Sequence, residues 1–154
     1  MSILLNLWGI TPELHQRLVA GNVEEPYTWT RKTERVGKYW EVLFRTLADP
    51  SGFQPGLAAI AVGGGWPIED PDEADYGGAY VLSPREVGLI APAVEAVDDE
   101  RFRGRFAARS FAGLYHDVPE DPRSVEYALY AFHALRDFYR ECADAGEGVL
   151  KFLG

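Results

Sequence analysis

The residues best suited to chemistry stand in two neighbouring stretches, one rich in glycine and the other rich in acids. Three consecutive glycines, Gly63 to Gly65, precede Trp66 and Pro67. Glycine permits positive φ and close backbone approach, which a loop that cradles phosphate requires. Neither the lysine of a P-loop nor the glycine fingerprint of a dinucleotide-binding fold follows, however. The glycine run therefore predicts a turn rather than a phosphate site.

Five acids occupy the seven residues from Glu69 to Asp75. Carboxylate oxygens at this density are the ligands that Ca²⁺ and Mg²⁺ prefer. A calcium loop of the EF-hand type needs a glycine in the middle and a closing glutamate, and this stretch has neither. We therefore predict a solvated acidic loop, with no bound metal and no cofactor. A metal-dependent hydrolase that uses this loop remains the lowest-ranked function.

Two histidines have a carboxylate nearby in the sequence, an arrangement that can tune a catalytic base. His116 directly precedes Asp117, but adjacency in sequence does not by itself create the geometry of a catalytic triad. His133 has Asp137 one helical turn after it. No nucleophile elbow and no reactive cysteine motif accompanies either histidine. We predict no catalytic residue, and the pattern favours a protein that is not an enzyme.

Glycine turns and aromatic side chains commonly converge at ligand pockets, so a pocket near the Gly63–Trp66 turn is an alternative hypothesis. Trp40 also has a second interpretation, because a large aromatic residue on an apolar helical stripe usually belongs to the core. The candidate ligand-binding residues are Trp40, Gly64, Gly65, Trp66, Tyr76, Tyr80, Tyr115, His116 and His133.

Charge and composition limit the classes of partner. The formal net charge is −9 and the pI is about 4.8, so phosphate backbones are repelled and we predict no nucleic-acid binding. The same charge suits a basic protein partner. The first residues lack both the basic residues of a secretory signal and the length of a membrane span, which favours a cytoplasmic protein without membrane contact. Cys142 is the only cysteine and excludes an internal disulfide.

The elements that must position these residues can be read from periodicity and from start and stop signals. A chain of 154 residues with 47% hydrophobic content predicts one domain, residues 1–154, with one core. Spacing and breakers predict strands over 3–8, 79–82 and 149–153, and helices over 12–20, 33–47 and 84–97. Another helix is predicted to start at residues 98–100 with Phe102 and Phe106 facing inward, and the longest helix to run from about Pro122 or Ser124 to Ala145. Ser83 and Glu86 form a capping-box pattern, and Pro92 predicts a kink or split near Ala91. Residues 57–62 fit either a strand or a helix.

Several segments carry a family likeness: "ITPELHQRL" near the start, "KYWEVLFRTL", "LAAIAVGGGWP", "DYGGAYVLSPREV", and the final helix with its glycine and strand. Together they resemble the YfbM-like family of small bacterial proteins of unknown function. The resemblance covers nearly the whole chain. It implies a compact α+β domain, with a mixed β-sheet flanked by helices, and the long C-terminal helix precedes a terminal strand. It implies no activity.

Three functions compete at this point. The first is a non-catalytic binding or interaction protein, in one form an immunity-type inhibitor whose acidic surface docks a basic toxin. The second is a small-molecule-binding domain or enzyme with its pocket near the glycine turn, and the third is the metal-dependent hydrolase. The sequence leaves the ligand, the oligomeric state and the strand order open.

Overall fold

Two helix-start signals that are visible in the sequence are formed in the computed structural model of the chain. Thr11 caps the first helix, since its side-chain hydroxyl accepts a hydrogen bond of 3.2 Å from the backbone N–H of Leu14. Ser83 and Glu86 close a complete capping box, each side chain accepting from the other's backbone N–H, at 3.1 and 3.0 Å. Each cap satisfies N–H groups that a helix start leaves without an intrahelical partner.

The structure describes residues 3–22, 28–49, 56–68, 78–114 and 123–154. The strands are β1 (Leu5–Ile10), β2 (Arg31–Gly37), β3 (Trp66–Ile68), β4 (Ala79–Leu82) and β5 (Gly148–Leu153). The helices are α1 (Pro12–Val19), α2 (Trp40–Leu47), α3 (Leu57–Ile60), α4 (Pro84–Glu95), α5 (Asp99–Ala108) and α6 (Ser124–Asp144). The chain is a single α+β domain in which the long helix α6 leads into the terminal strand, as the sequence predicts.

The five strands form one sheet in the order β2-β1-β5-β4-β3. Each pair of neighbouring strands is antiparallel, so the prediction of a mixed sheet is wrong. The cause is the place of β5, which returns from α6 into the middle of the sheet and runs opposite to both β1 and β4. The last strand of the chain is therefore the central one.

Register divides the side chains of the sheet between two faces. Leu7, Lys151 and Tyr80 lie directly opposite one another on β1, β5 and β4, on what we call the inner face. Helices α2, α3, α4 and α6 supply the larger hydrophobic cluster, which packs on this face. Trp8 and Val81 belong to the next row, on the outer face, where α1 packs. The inner face is thus the more deeply buried of the two.

The predicted helix over residues 33–47 is correct only for its second part. Residues Arg31–Gly37 form the edge strand β2, in which Thr33 pairs with Leu7 of β1. Gly37 has a positive φ of 52° and ends the strand before α2 begins. The apolar residues keep a spacing of three and four across this break, because Val36 is also buried, but as part of a strand and not of a helix. Pairing with β1 outweighed the local pattern.

Two other local predictions are resolved by packing. Residues 57–60, which fit either state, form the short helix α3, so the apolar run there is not a strand. Helix α4 continues through Pro92, and the predicted split near Ala91 does not occur. Val87 before the proline and Val94 after it are both fully buried, and this packing holds the two parts as one helix.

Helix α6 ends as the sequence predicts, with a glycine in the left-handed region. Gly146 has a φ of 67°, the N–H of Glu147 donates to the carbonyl of Cys142 at 2.9 Å, and that of Gly146 donates to the carbonyl of Ala143 at 3.1 Å. This arrangement is a Schellman motif, which satisfies the last carbonyls and turns the chain directly into β5. The turn fixes where Lys151 enters the sheet.

Candidate functional site

A small cavity of about 60 Å³ lies over the inner face of the sheet, next to the glycine turn. This volume is roughly that of two water molecules. Its walls come from β1, α2, the turn that follows α3, the start of β4, and β5. The lining residues are Leu5, Trp40, Val62, Gly63, Gly64, Gly78, Tyr80, Lys151, Phe152 and Leu153. Five segments that are distant in sequence thus meet at one concave place.

Three of the predicted ligand-binding residues, Trp40, Gly64 and Tyr80, line this cavity together. Trp40 also fits its alternative interpretation, because its ring is half-buried against the core and its Nε1 donates to the carbonyl of Ile3 at 3.0 Å. Gly64 has a φ of 138°, a conformation that other residues rarely adopt. The glycine run is therefore a turn, as predicted, and part of a pocket wall.

The next two residues of that run do not reach the cavity. Trp66 pairs with Val81 on the outer face of the sheet, and 59% of its surface is exposed. A side chain at Gly65 would meet the carbonyl oxygen of Val81 at 2.9 Å, so this glycine lets the backbone pass close to β4. The prediction that Gly65 and Trp66 bind a ligand with Trp40 and Tyr80 is not supported by this arrangement.

His133 belongs to a different surface. Its Nε2 lies 2.8 Å from Oδ1 of Asp99, at the start of α5, and Arg136 approaches the same oxygen at 3.7 Å. The hydrogen bond from His133 is the main cause that lowers the pKa of Asp99. Asp137, the partner that the sequence suggested, instead contacts Arg136 and Arg140. This surface is an exposed ion-pair network and is not part of the cavity.

The remaining candidate residues, Tyr76, Tyr115 and His116, lie outside the described residues, as does the acidic run of residues 69–75. Within the part of the chain that the structure describes, no three metal-ligating side chains form a cluster. The same part contains no helix with the length and apolar character to cross a bilayer.

Lys151 is the polar residue of the cavity that the sequence analysis did not single out. Its position in β5 places it on the inner face between Leu7 and Tyr80, and only 1% of its surface is exposed. The amine Nζ donates a hydrogen bond of 2.6 Å to the carbonyl of Ile60, the last residue of α3. One signal was available in the sequence, because Lys151 stands between Val149 and Leu153 on the same side of an apolar strand.

A neighbouring carbonyl of the same helix end is satisfied by a neutral group. The hydroxyl of Tyr139, which is fully buried on α6, donates to the carbonyl of Ala61 at 2.6 Å. Burial raises the pKa of this phenol, so it remains protonated. A neutral donor is therefore sufficient to satisfy a carbonyl at the end of α3. The adjacent carbonyl accepts its hydrogen bond from an ionisable amine instead.

The electrostatic surroundings of Lys151 disfavour its charged form. Burial lowers the pKa of the Lys151 amine to about 7, and the negative charge of Glu86 on α4 opposes this change only in part. None of the ion pairs found among the described residues includes Lys151. Near neutral pH the amine therefore spends far more time in its neutral form than an exposed lysine does, and the neutral amine is a nucleophile and a hydrogen-bond acceptor.

A second buried polar group joins β2 to the turn before β5. The guanidinium of Arg31 binds both carboxylate oxygens of Glu147, at 2.9 and 3.1 Å, and its Nη1 lies 3.4 Å from Glu141. Gly9 makes room for this pair, since a Cβ there would lie 2.8 Å from Arg31 Cγ and from Glu147 Oε2. Cys142 is buried nearby, and burial raises the pKa of its thiol to about 12, so it is unreactive.

The fold and this site define the class: a small α+β domain whose antiparallel sheet carries a buried lysine under a glycine turn. The family model described as "Domain of unknown function (DUF1877)" matches residues 1–152. The chain therefore belongs to this family, which includes the YfbM-like proteins of unknown function.

A solved structure has the same fold. It is described as a protein of unknown function, YfbM from Escherichia coli, and superposes with a TM-score of 0.68. The two sequences are 18% identical, and the match covers 98% of this chain and 99% of the other. At this identity the likeness establishes the fold alone. Among curated proteins, the comparison found no match.

Proposed function

We propose that the protein is a small-molecule-binding domain and that the cavity over Lys151 is its binding site. The observation that carries this proposal is a fully buried lysine, Lys151, among the residues that line a cavity built by five separate segments. A ligand oxygen could accept a hydrogen bond from Nζ, and the ligand's apolar part would contact Trp40 and Leu153. Apolar walls with one polar group that fixes orientation are typical of small-ligand sites.

The cavity limits the ligand to a few heavy atoms. A volume of about 60 Å³ excludes nucleotides, sugars and other drug-sized ligands, whose pockets are typically several times larger. Among the described residues, the lining holds no second cation beside Lys151, so an uncharged molecule fits it better than a carboxylate. The favoured class is a short alcohol, aldehyde or ketone. The binding free energy of such a ligand is at most about 1.5 kcal/mol per heavy atom, so we expect dissociation constants in the high-micromolar to millimolar range.

Short alcohols test this proposal because they can bind without reacting. We expect ethanol, titrated into labelled protein and followed by NMR, to shift the backbone signals of Gly63, Gly64 and Tyr80 in a saturable manner. Lys151→Met, which keeps the volume of the side chain but removes the amine, should weaken binding at least about tenfold, the value of one lost hydrogen bond in a dry site. Lys38→Met removes an exposed lysine and should bind as the natural protein does.

Three alcohols of increasing length make the test sharper. If shifts at these residues do not saturate for methanol, ethanol or 1-propanol, the cavity is not a binding site for this class. Equal affinity in Lys151→Met would also contradict the proposal, because the amine would then have no part in binding.

A second candidate function is the docking of a basic protein, which the net charge of −9 favours. Within the described residues, several arginines are already paired with carboxylates, so they offer little positive field to a partner. These arginines are Arg31, Arg101, Arg103, Arg136 and Arg140. An acidic surface of this kind accelerates association with a cationic protein and makes it sensitive to salt.

The test for this candidate is the association rate with a purified basic nuclease toxin whose gene neighbours that of this protein. We expect the association rate constant to fall at least about tenfold between low and high salt. A rate that does not depend on salt, or the absence of a complex at low salt, would remove this candidate.

A further inference from the structure

We propose that the Lys151 amine forms an imine with a short aldehyde that enters the cavity. This inference rests on the proposed function and names the ligand class and the chemistry of that same site. Its basis is geometric: Lys151 lines a cavity of limited size, and its buried primary amine is held in place by the carbonyl of Ile60.

The amine is presented to the cavity in a fixed position. Its stem is packed between Leu7 and Tyr80 in the middle of the sheet, and its Nζ is anchored at 2.6 Å to the carbonyl of Ile60. A reactive group that is held in one geometry has already lost the freedom that a flexible surface lysine would lose during reaction. Position and burial thus favour reaction at Lys151 over an exposed lysine.

The surroundings also keep the amine in the form that reacts. Only a neutral amine has the lone pair that attacks a carbonyl, and an ordinary exposed lysine is almost entirely protonated near neutral pH. Burial lowers the pKa of Lys151 to about 7. The ionisable groups that face it are Glu86 from α4 and Tyr80 from β4, and Glu86 is already engaged with the backbone N–H of Ser83.

The purely structural explanation accounts poorly for a lysine at this place. A charged amine costs several kcal/mol to bury, whereas a hydroxyl satisfies a carbonyl at little cost. Tyr139 does so for the carbonyl of Ala61, one residue beyond Ile60. A neutral hydroxyl therefore satisfies one carbonyl at this helix end. The adjacent carbonyl is nevertheless bound by the amine of a lysine that lines the cavity.

The reaction balances without an oxidant or a reductant. The lone pair of Nζ attacks the carbonyl carbon, and the π electrons move to the carbonyl oxygen. One proton passes from nitrogen to this oxygen and gives a carbinolamine. The second proton on nitrogen and the hydroxyl group then leave as water, and the C=N bond forms. Hydrolysis reverses each step, so the aldehyde is bound covalently but reversibly.

The size and lining of the cavity select the aldehyde. A volume of about 60 Å³ accepts two or three heavy atoms, which is the size of formaldehyde or acetaldehyde. The described lining residues provide no cation besides Lys151 that would pair with the carboxylate of an oxo acid. An uncharged aldehyde therefore fits better than an oxo acid of the same length.

Reductive trapping on the whole native protein tests the inference. The chain has only three lysines, of which Lys32 and Lys38 are exposed and serve as internal controls. The protein is incubated near neutral pH with limiting acetaldehyde and cyanoborohydride, which converts an imine to a stable ethyl amine. Peptide mass spectrometry then measures labelling at each lysine. We expect Lys151 to be labelled at least about tenfold faster than either control in the native protein.

Unfolding provides the matched reference. In urea the three lysines should be labelled at similar rates, which would show that the preference comes from the folded site. Lys151→Met should remove the fast phase and leave labelling at Lys32 and Lys38 unchanged. Labelled controls beside an unmodified Lys151 in the native protein would overturn the imine. If ethanol still binds the natural protein better than Lys151→Met, the proposed function survives this failure; without alcohol binding, both fail.

Discussion

Replacing Lys151 by methionine is expected to raise the free energy of unfolding near neutral pH by about 3 kcal/mol. Burial lowers the pKa of this amine from 10.5 to about 7, and the corresponding loss of stability is on the order of 4 kcal/mol at pH 7. Methionine has a similar volume and no charge, so it removes this cost. The lost hydrogen bond to the carbonyl of Ile60 offsets about 1 kcal/mol of the gain.

The stability gained by replacing Lys151 with methionine should depend on pH in a defined direction. The folded-state pKa of Lys151 lies below that of the unfolded chain, so between about pH 7 and 10.5 the unfolded state binds more protons. The contribution of this group therefore makes the natural protein more stable as pH rises through that window, and the methionine variant lacks the increase. Near pH 10 the variant should be no more stable than the natural protein. Glu86 and Tyr80, which face the amine, are unchanged in both proteins.

Urea unfolding of both proteins at several pH values measures this difference. Lys38→Met is the matched control, because Lys38 is exposed and its replacement should change the free energy of unfolding by less than about 0.5 kcal/mol. If Lys151→Met is less stable than the natural protein near neutral pH while the control is not, the amine serves the fold. The argument for a binding site at Lys151 would then lose its main support.

If Lys151→Met is more stable than the natural protein, the lysine has a role other than stabilising the fold. A residue that reduces the stability of its own fold must contribute something other than stability, and functional sites commonly carry such costs. The cavity beside Lys151 is where that contribution would be found. Stability and ligand binding of one variant therefore test the same idea from two sides: the methionine protein should be more stable and should no longer bind.

Local signals in the sequence were sufficient for those parts of the fold that short-range chemistry decides. The capping box at Ser83, the αL glycine at Gly146 and the apolar stripe of α6 are properties of neighbouring residues, and the structure contains all three. Strand β2 was mistaken for helix because its pairing with β1 is a long-range interaction. The antiparallel arrangement was missed for the same reason, since no local pattern states where β5 will insert.

The candidate site was only partly predictable. Glycine and aromatic residues pointed to Trp40, Gly64 and Tyr80, which do line one cavity. Trp66 was wrongly grouped with them because adjacency in a chain does not reveal which face of a strand a residue occupies. Lys151 was overlooked because an apolar strand with a single lysine also fits an exposed edge. Its burial follows from the central place of β5.

Replacing Arg31 by methionine should have the second largest effect, a loss of about 3 kcal/mol in the free energy of unfolding. Arg31 holds both oxygens of Glu147, and only 8% of the surface of Glu147 is exposed. Removing one partner of a buried pair leaves the other charge uncompensated, which typically costs 3–5 kcal/mol. We expect the lower end of this range, because the arginine side chain is 30% exposed and water can reach it.

Acidification should reduce the difference in the free energy of unfolding between the natural protein and Arg31→Met. Burial alone would raise the pKa of Glu147, but hydrogen bonds from Arg31 and Thr30 outweigh it and hold the pKa below 4.5. In the natural protein, the stability from this carboxylate is therefore lost as pH falls below about 4.5. Without Arg31, burial dominates, the carboxyl group takes up its proton at a higher pH, and its unpaired charge disappears. The stability curves of the two proteins should converge in acid.

A double replacement separates the pair from its surroundings. Arg31→Met combined with Glu147→Met removes both charges, and it should recover at least half of the stability that the single replacement loses, because no buried charge remains. Arg35→Met, on the same strand and exposed, is the matched control and should be nearly neutral. A double variant as unstable as Arg31→Met alone would show that the packing of the arginine stem, and not the charge pair, joins β2 to the turn before β5.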